Sequence, residues 1–169
     1  MTTAENCKPP QPASPDEEAR LIDANVNPRT RLATDYLNHF NEAIMLLDML
    51  AEMPECREDF FAWQPKKYQE HFAASKSKHR DIALAAYADA DPELRRNLDT
   101  LANSMNAILA AAREVMRQEL SGNGANAVAD LAVRWVRPMI ARAGAVINGT
   151  ETGQRAAAPQ NAVDALMAR

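Results

Sequence analysis

The chain has 169 residues, a formal net charge of -4, a hydrophobic fraction of 47% and only 5% aromatic residues. This length fits one domain with tails, and an apolar content rich in alanine and methionine favours packed helices over a sheet. The weak negative charge disfavours general nucleic-acid coating, which needs a strongly positive surface. Cys7 and Cys56 are the only cysteines. We therefore expect reduced thiols, and neither a disulfide framework nor a zinc cluster.

Residues 1–29 are rich in Pro, Ser, Asp and Glu and contain almost no large apolar residue before Leu21. This composition predicts a disordered N-terminal tail and no signal peptide. No apolar run approaches the ~20 residues that span a bilayer. We expect a soluble, cytoplasmic protein without a membrane partner, and the compact alanine-rich sequence suggests a bacterial one.

Two helices are predicted in the first half of the remaining chain. The first covers about 30–53 and ends at Pro54; its apolar stripe is Tyr36, Leu37, Phe40, Ala43, Ile44, Leu47 and Leu50. The second covers about 65–89, with Pro65 in its first turn. Its stripe comprises Tyr68, Phe72, Ser75, His79, either Ile82 or Ala83, Ala86 and Ala90.

Two further helices follow. Asp91, Pro92 and Glu93 form a strong helix start, and the third helix continues to about 119 with a seven-residue apolar repeat. After the SGNG break, the fourth helix covers about 125–148 and contains Pro138. Residues 149–169 form a flexible tail in which NAVDALMAR is a candidate short amphipathic helix. The economical architecture is an all-α, antiparallel (up-down) four-helix bundle over 30–148.

Aligning antiparallel neighbours places His79 level with His39 at the middle of this bundle. Polar residues from three helices are expected near that level: Asp35, His39, Glu42, Ser75, His79 and Arg142. Such a cluster is a network that sets helix register, or it is a pocket for a metal or a small ligand centred on His39 and His79. The Glu-x-x-His motif of di-iron bundles is missing, so no metal or cofactor is assigned.

A four-helix bundle that carries a histidine on a central helix resembles the histidine phosphotransfer domains. The resemblance rests on architecture and implies phosphoryl transfer to an exposed ring nitrogen of His79 or His71. Cations lie beside His79, namely Lys76, Lys78 and Arg80. In that family a lysine and a glycine typically follow the histidine. FAAS follows His71 here and RDIA follows His79, so both positions depart from the pattern.

The first helix carries a second apolar strip, formed by Leu46, Met49 and Met53. Thioether side chains repack easily, so this strip is a candidate surface for a protein partner or for a homodimer. The sequence contains no phosphate loop and no motif of a catalytic nucleophile. We therefore predict a non-enzymatic protein that binds a protein partner in a regulatory or accessory role. The alternatives are the phosphotransfer domain and the ligand-binding bundle, and nucleic acid is a disfavoured partner.

Overall fold

The computed structural model describes residues 13–118 and 122–150, and within these ranges the chain forms seven helices and no β-strand. An isolated antiparallel bridge joins Val26 to Ala33. The all-α prediction is thus confirmed for the described residues. The helices are α1 (Pro15–Asp23), α2 (Tyr36–Met49), α3 (Cys56–Ala62), α4 (Tyr68–Ala74), α5 (Arg80–Asp89), α6 (Pro92–Arg117) and α7 (Gly122–Asn148).

The four-helix up-down bundle is not confirmed, because the described ranges contain seven helices instead of four. The prediction of one continuous helix over 65–89 is wrong, since α4 ends at Ala74 and α5 begins at Arg80. Between them the Ser75 Oγ accepts from the backbone N–H of Ser77 at 3.1 Å, and the Ser77 Oγ accepts from that of His79 at 3.2 Å. Serine side chains that bond nearby backbone groups compete with helical hydrogen bonds, which explains the break.

The prediction of disorder over 1–29 is also wrong for residues 13–29, which include α1. Ser14 caps this helix by accepting from the backbone N–H of Glu17 at 3.3 Å, and Pro15 takes the first helical position. Leu21 is only 4% exposed and joins the core. Burial of this side chain anchors the helix to the rest of the fold. Residues 1–12, and residues 151–169 with the proposed amphipathic helix, lie outside the described residues.

The long helices α6 and α7 pack against each other, and α7 also packs against α2. The apolar repeat of α6 faces this core, where it buries Leu98, Leu101, Met105, Ile108, Ala112 and Val115. Four of the nine buried residues of α7 are alanine, whose small side chain lets neighbouring backbones approach closely. Pro138 is exposed, and α7 continues past it to Asn148.

Asp91 caps α6 through its carboxylate, which accepts from the backbone N–H groups of Glu93 at 2.8 Å and Leu94 at 3.1 Å. We expect Asp91→Ala to lower the free energy of unfolding by about 1 kcal/mol, because two N–H groups lose their acceptor. Urea denaturation followed by circular dichroism measures this loss. Asp130→Ala, at an exposed position within α7, is the control and should cause no loss, since alanine is the better helix former. Equal losses in the two variants would contradict the capping role.

The segment before α2 is tied to the end of α7. The buried Thr30 hydroxyl donates to the Ile147 carbonyl at 2.5 Å. The Arg29 guanidinium donates to the carbonyls of Asn148 at 3.0 Å and Gly149 at 3.2 Å. These bonds satisfy carbonyl groups that have no partner inside a helix. We call them the α7 clasp.

Candidate functional site

His39 lies within α2 and is only 5% exposed. Its ring stacks on Trp63, with 4.6 Å between centroids and an interplanar angle of 21°. The Trp63 Nε1 also donates to the His39 backbone carbonyl at 3.0 Å. Among the described residues the buried His39 Nε2 has no hydrogen-bond partner. The ring therefore belongs to an aromatic cluster and lies away from water.

The histidine beside His39 is His71. The two ring centroids are 5.9 Å apart, and the half-buried His71 ring also meets Tyr36 at 5.6 Å. The pairing of antiparallel helices predicted from the sequence placed His79 at this level. Its register assumed one continuous second helix, whereas the chain is non-helical from Trp63 to Lys67 and again from Ser75 to His79. The two breaks shift the facing residue to an earlier position in the chain.

Both of these histidines are held in the neutral form. Burial lowers the pKa of His39, the charges of His71 and Lys66 act in the same direction, and together they bring it to about 4. Burial also lowers the pKa of His71, and Lys66 acts in the same direction, while Asp35 and Glu42 oppose the shift. Neutral imidazoles are able to bind a metal. However, no three His, Cys, Asp or Glu side chains among residues 13–118 and 122–150 are grouped to hold one.

The other predicted members of the polar cluster lie on several elements, and two of them, Asp35 and Glu42, are near enough to His71 to act on its pKa. Asp35 precedes α2 and accepts from the Asn25 side-chain amide at 3.3 Å. Glu42 is exposed on α2, Ser75 follows α4, and Arg142 is half-buried on α7. The ring contacts thus join His39 to His71, a residue that the sequence placed only among the candidate phosphoacceptors.

His79 precedes α5 and faces α1. Its Nε2 lies 3.6 Å from the Asp23 Oδ2, and its side chain is 23% exposed. A phosphoryl group on that nitrogen would stand against the Asp23 carboxylate, and like charges repel at such a distance. His71, the second candidate phosphoacceptor, lies on the seven-residue helix α4 with its ring against Phe72.

The predicted partner strip lies partly on the surface. Leu46 packs against the core, Met49 is half-buried, and Met53 is 39% exposed. Met45, one turn before Met49 on α2, is 52% exposed. We define the methionine strip as Met45, Met49 and Met53.

A groove of about 310 Å³ separates α1 from α5. Its apolar lining includes Leu21, Ile82 and Ala86. Its charged lining has both signs and includes Arg20 and Asp89. The Arg31 guanidinium at its edge pairs with Glu17 at 2.8 Å. The sequence analysis missed this groove because it assigned α1 to a disordered tail. The run Ser14-Pro15-Asp16-Glu17, a capping residue followed by proline and acidic residues, was the signal that indicated a helix start.

None of the helices in the described ranges is both long enough and apolar enough to cross a membrane. Comparison of the chain with protein-family models, with curated proteins and with solved structures found no match. Any functional proposal therefore depends on the residues of this chain and their surroundings.

Proposed function

We propose that this chain is a non-enzymatic cytoplasmic protein that binds another protein through the methionine strip, in a regulatory or accessory role. In this proposal α2, the α4–α5 pair, α6 and α7 act as the four layers of a bundle, and α2 presents the strip. The observation that supports it most directly is the exposure of Met45 and Met53.

Exposed large apolar residues are few in the described part of the chain. They are Ile22, Met45 and Met53, and two of these three belong to the strip. Grouped apolar residues on a surface are typical of interaction sites, whereas isolated ones are ordinary. Methionine adapts its shape to a partner because its side chain is unbranched and its sulfur is polarisable.

The edge of the strip carries charged groups. Asp48, between Met45 and Met49 in sequence, pairs with Arg137 of α7 at 2.5 Å, and both side chains stay about half-exposed or more. An apolar centre with a polar rim is the usual anatomy of a protein interface. We therefore expect a partner that offers an apolar helix face. If that partner is a second copy of this chain, the complex is a homodimer.

The test is a double variant, Met45→Glu with Met53→Glu, used as bait in affinity purification from the native cell. A partner that wild type enriches should fall about tenfold or more in the double variant, because a buried unpaired carboxylate opposes association. Sedimentation of the purified proteins compares their self-association in the same way.

Ile22→Glu is the matched control, since Ile22 is 58% exposed on α1 and lies outside the strip. It should retain both the partner and the oligomeric state of wild type. If the double variant keeps every wild-type partner and the same sedimentation, the methionine strip is not the binding surface.

A further inference from the structure

Three arginines gather where α3 meets the C-terminal end of α6. Arg57 lies on α3, and Arg113 and Arg117 lie one turn apart near the end of α6. The Cζ atoms of Arg57 and Arg117 lie 5.3 Å and 5.5 Å from the centroid of the Phe61 ring. Phe61 is half-buried, and its ring contacts both guanidinium groups.

Within the described part of the chain, these guanidinium groups make few hydrogen bonds. Arg57 donates to the Met116 carbonyl, and Arg113 donates to the Trp63 carbonyl at 2.5 Å. The Arg57 Nε is buried and has no hydrogen-bond partner among the described residues. Since a guanidinium carries several N–H donors in a planar fork, most of the donors of this cluster have no acceptor among the described residues.

The positive charge of the cluster is poorly balanced. No carboxylate of the described ranges forms an ion pair with any of the three arginines. Burial lowers the pKa of Arg113 and the charge of Arg117 lowers it further, against a smaller opposing effect of Glu114. Grouped cations that lack a counter-charge carry a free-energy penalty, which an anion would remove.

Helix capping explains only part of this arrangement. Cations near the C-terminus of a helix interact favourably with its dipole, and Arg57 satisfies one of the last carbonyls of α6. One arginine would be sufficient for that purpose. Arg113 satisfies the carbonyl of Trp63, the residue that ends α3, in the same way. Capping does not account for the third guanidinium, that of Arg117, or for the buried Arg57 Nε.

We propose that Arg57, Arg113 and Arg117 bind the phosphate group of a phosphomonoester. A dianion matches a group of three guanidinium ions better than a single carboxylate does, and its oxygens accept from several planar forks at once. The site is independent of the methionine strip, which lies on α2 and the turn after it.

The test is a titration with inorganic phosphate at about pH 8, where the dianion predominates, at constant ionic strength set with chloride. Nuclear magnetic resonance of the arginine Nε–H groups reports binding at each side chain. We expect saturable shifts at Arg57 and Arg113. Arg117→Gln should weaken binding by about tenfold, the effect of losing one charged hydrogen-bond donor.

Arg117 is the residue to substitute because it is exposed and its described contact is with the Phe61 ring, so the fold should survive the change. A thermal melt checks this. Arg137→Gln is the matched control, because Arg137 is an exposed arginine paired with Asp48 on another face. It should bind phosphate as wild type does.

Two further ligands distinguish the sources of the anion. Dimethyl phosphate represents the diesters of nucleic acids, and acetate represents the carboxylates of acidic proteins. Both should bind at least about tenfold more weakly than phosphate, because each carries one charge instead of two. Equal binding of either ligand, a lack of saturable shifts, or an equal loss in Arg137→Gln would overturn the phosphomonoester site.

Discussion

Trp63→Ala is expected to lower the free energy of unfolding by about 3–5 kcal/mol, the usual cost of deleting a buried indole. Trp63 is 6% exposed, stacks on His39 and donates to the His39 carbonyl. Its removal leaves a cavity and deletes the indole hydrogen bond in the same place. Urea denaturation followed by far-ultraviolet circular dichroism measures the loss.

Trp135→Ala is the control, because Trp135 is only partly buried on α7. Its loss should be clearly smaller than that of Trp63→Ala. Similar losses at the two positions would mean that the aromatic cluster around His39 is not a principal source of stability.

Acidification from about pH 7 to about pH 4 is expected to destabilise the protein through His39. The pKa of this ring is 6.5 in the unfolded chain and about 4 in the folded protein, so the unfolded state binds the proton more tightly. The stability that depends on neutral His39 is fully present above about pH 6.5 and is lost as the pH falls towards 4. The shift corresponds to roughly 3 kcal/mol.

His39→Phe isolates this effect, because phenylalanine keeps an aromatic ring against Trp63 and removes the titrating group. On acidification, wild type should lose roughly 3 kcal/mol more of its free energy of unfolding than His39→Phe does. Parallel profiles for wild type and His39→Phe would show that His39 does not carry the acid sensitivity.

The sequence predicted α6 well because several independent signals agree there. Asp91, Pro92 and Glu93 mark its start, and the capping bonds to the N–H groups of Glu93 and Leu94 are present. The apolar repeat from Leu98 to Val115 is buried as expected. Local propensity, capping and periodicity then all favour the same helix.

The sequence failed where local side-chain bonds compete with a periodic pattern. The spacing of Phe72, Ser75 and His79 fits one helix face, but the hydroxyls of Ser75 and Ser77 bond the backbone and interrupt the helix. The predicted pairs of facing residues that depended on one continuous helix over 65–89 are therefore shifted along the chain. This is why the ring near His39 belongs to His71, 5.9 Å away.

No motif or regular spacing in the sequence indicates that Arg57, Arg113 and Arg117 form one site. Arg57 and Arg113 are far apart in the chain, and a meeting of α3 with the end of α6 was not predicted. Each arginine alone is typical of a solvated helix surface. Only the contact of the Arg57 and Arg117 guanidinium groups with the same Phe61 ring distinguishes them.

The α7 clasp has a consequence for how the fold opens. Thr30 and Ile147 are 117 residues apart in the chain, so their bond closes a loop that contains α2 to α6. Closing such a loop is entropically costly and requires the intervening helices to be in place. Fraying usually begins at a helix terminus and remains local. Fraying at the end of α7, in contrast, requires the hydrogen bond of the buried Thr30 to break. Opening of that terminus is therefore coupled to unfolding of the segment before α2.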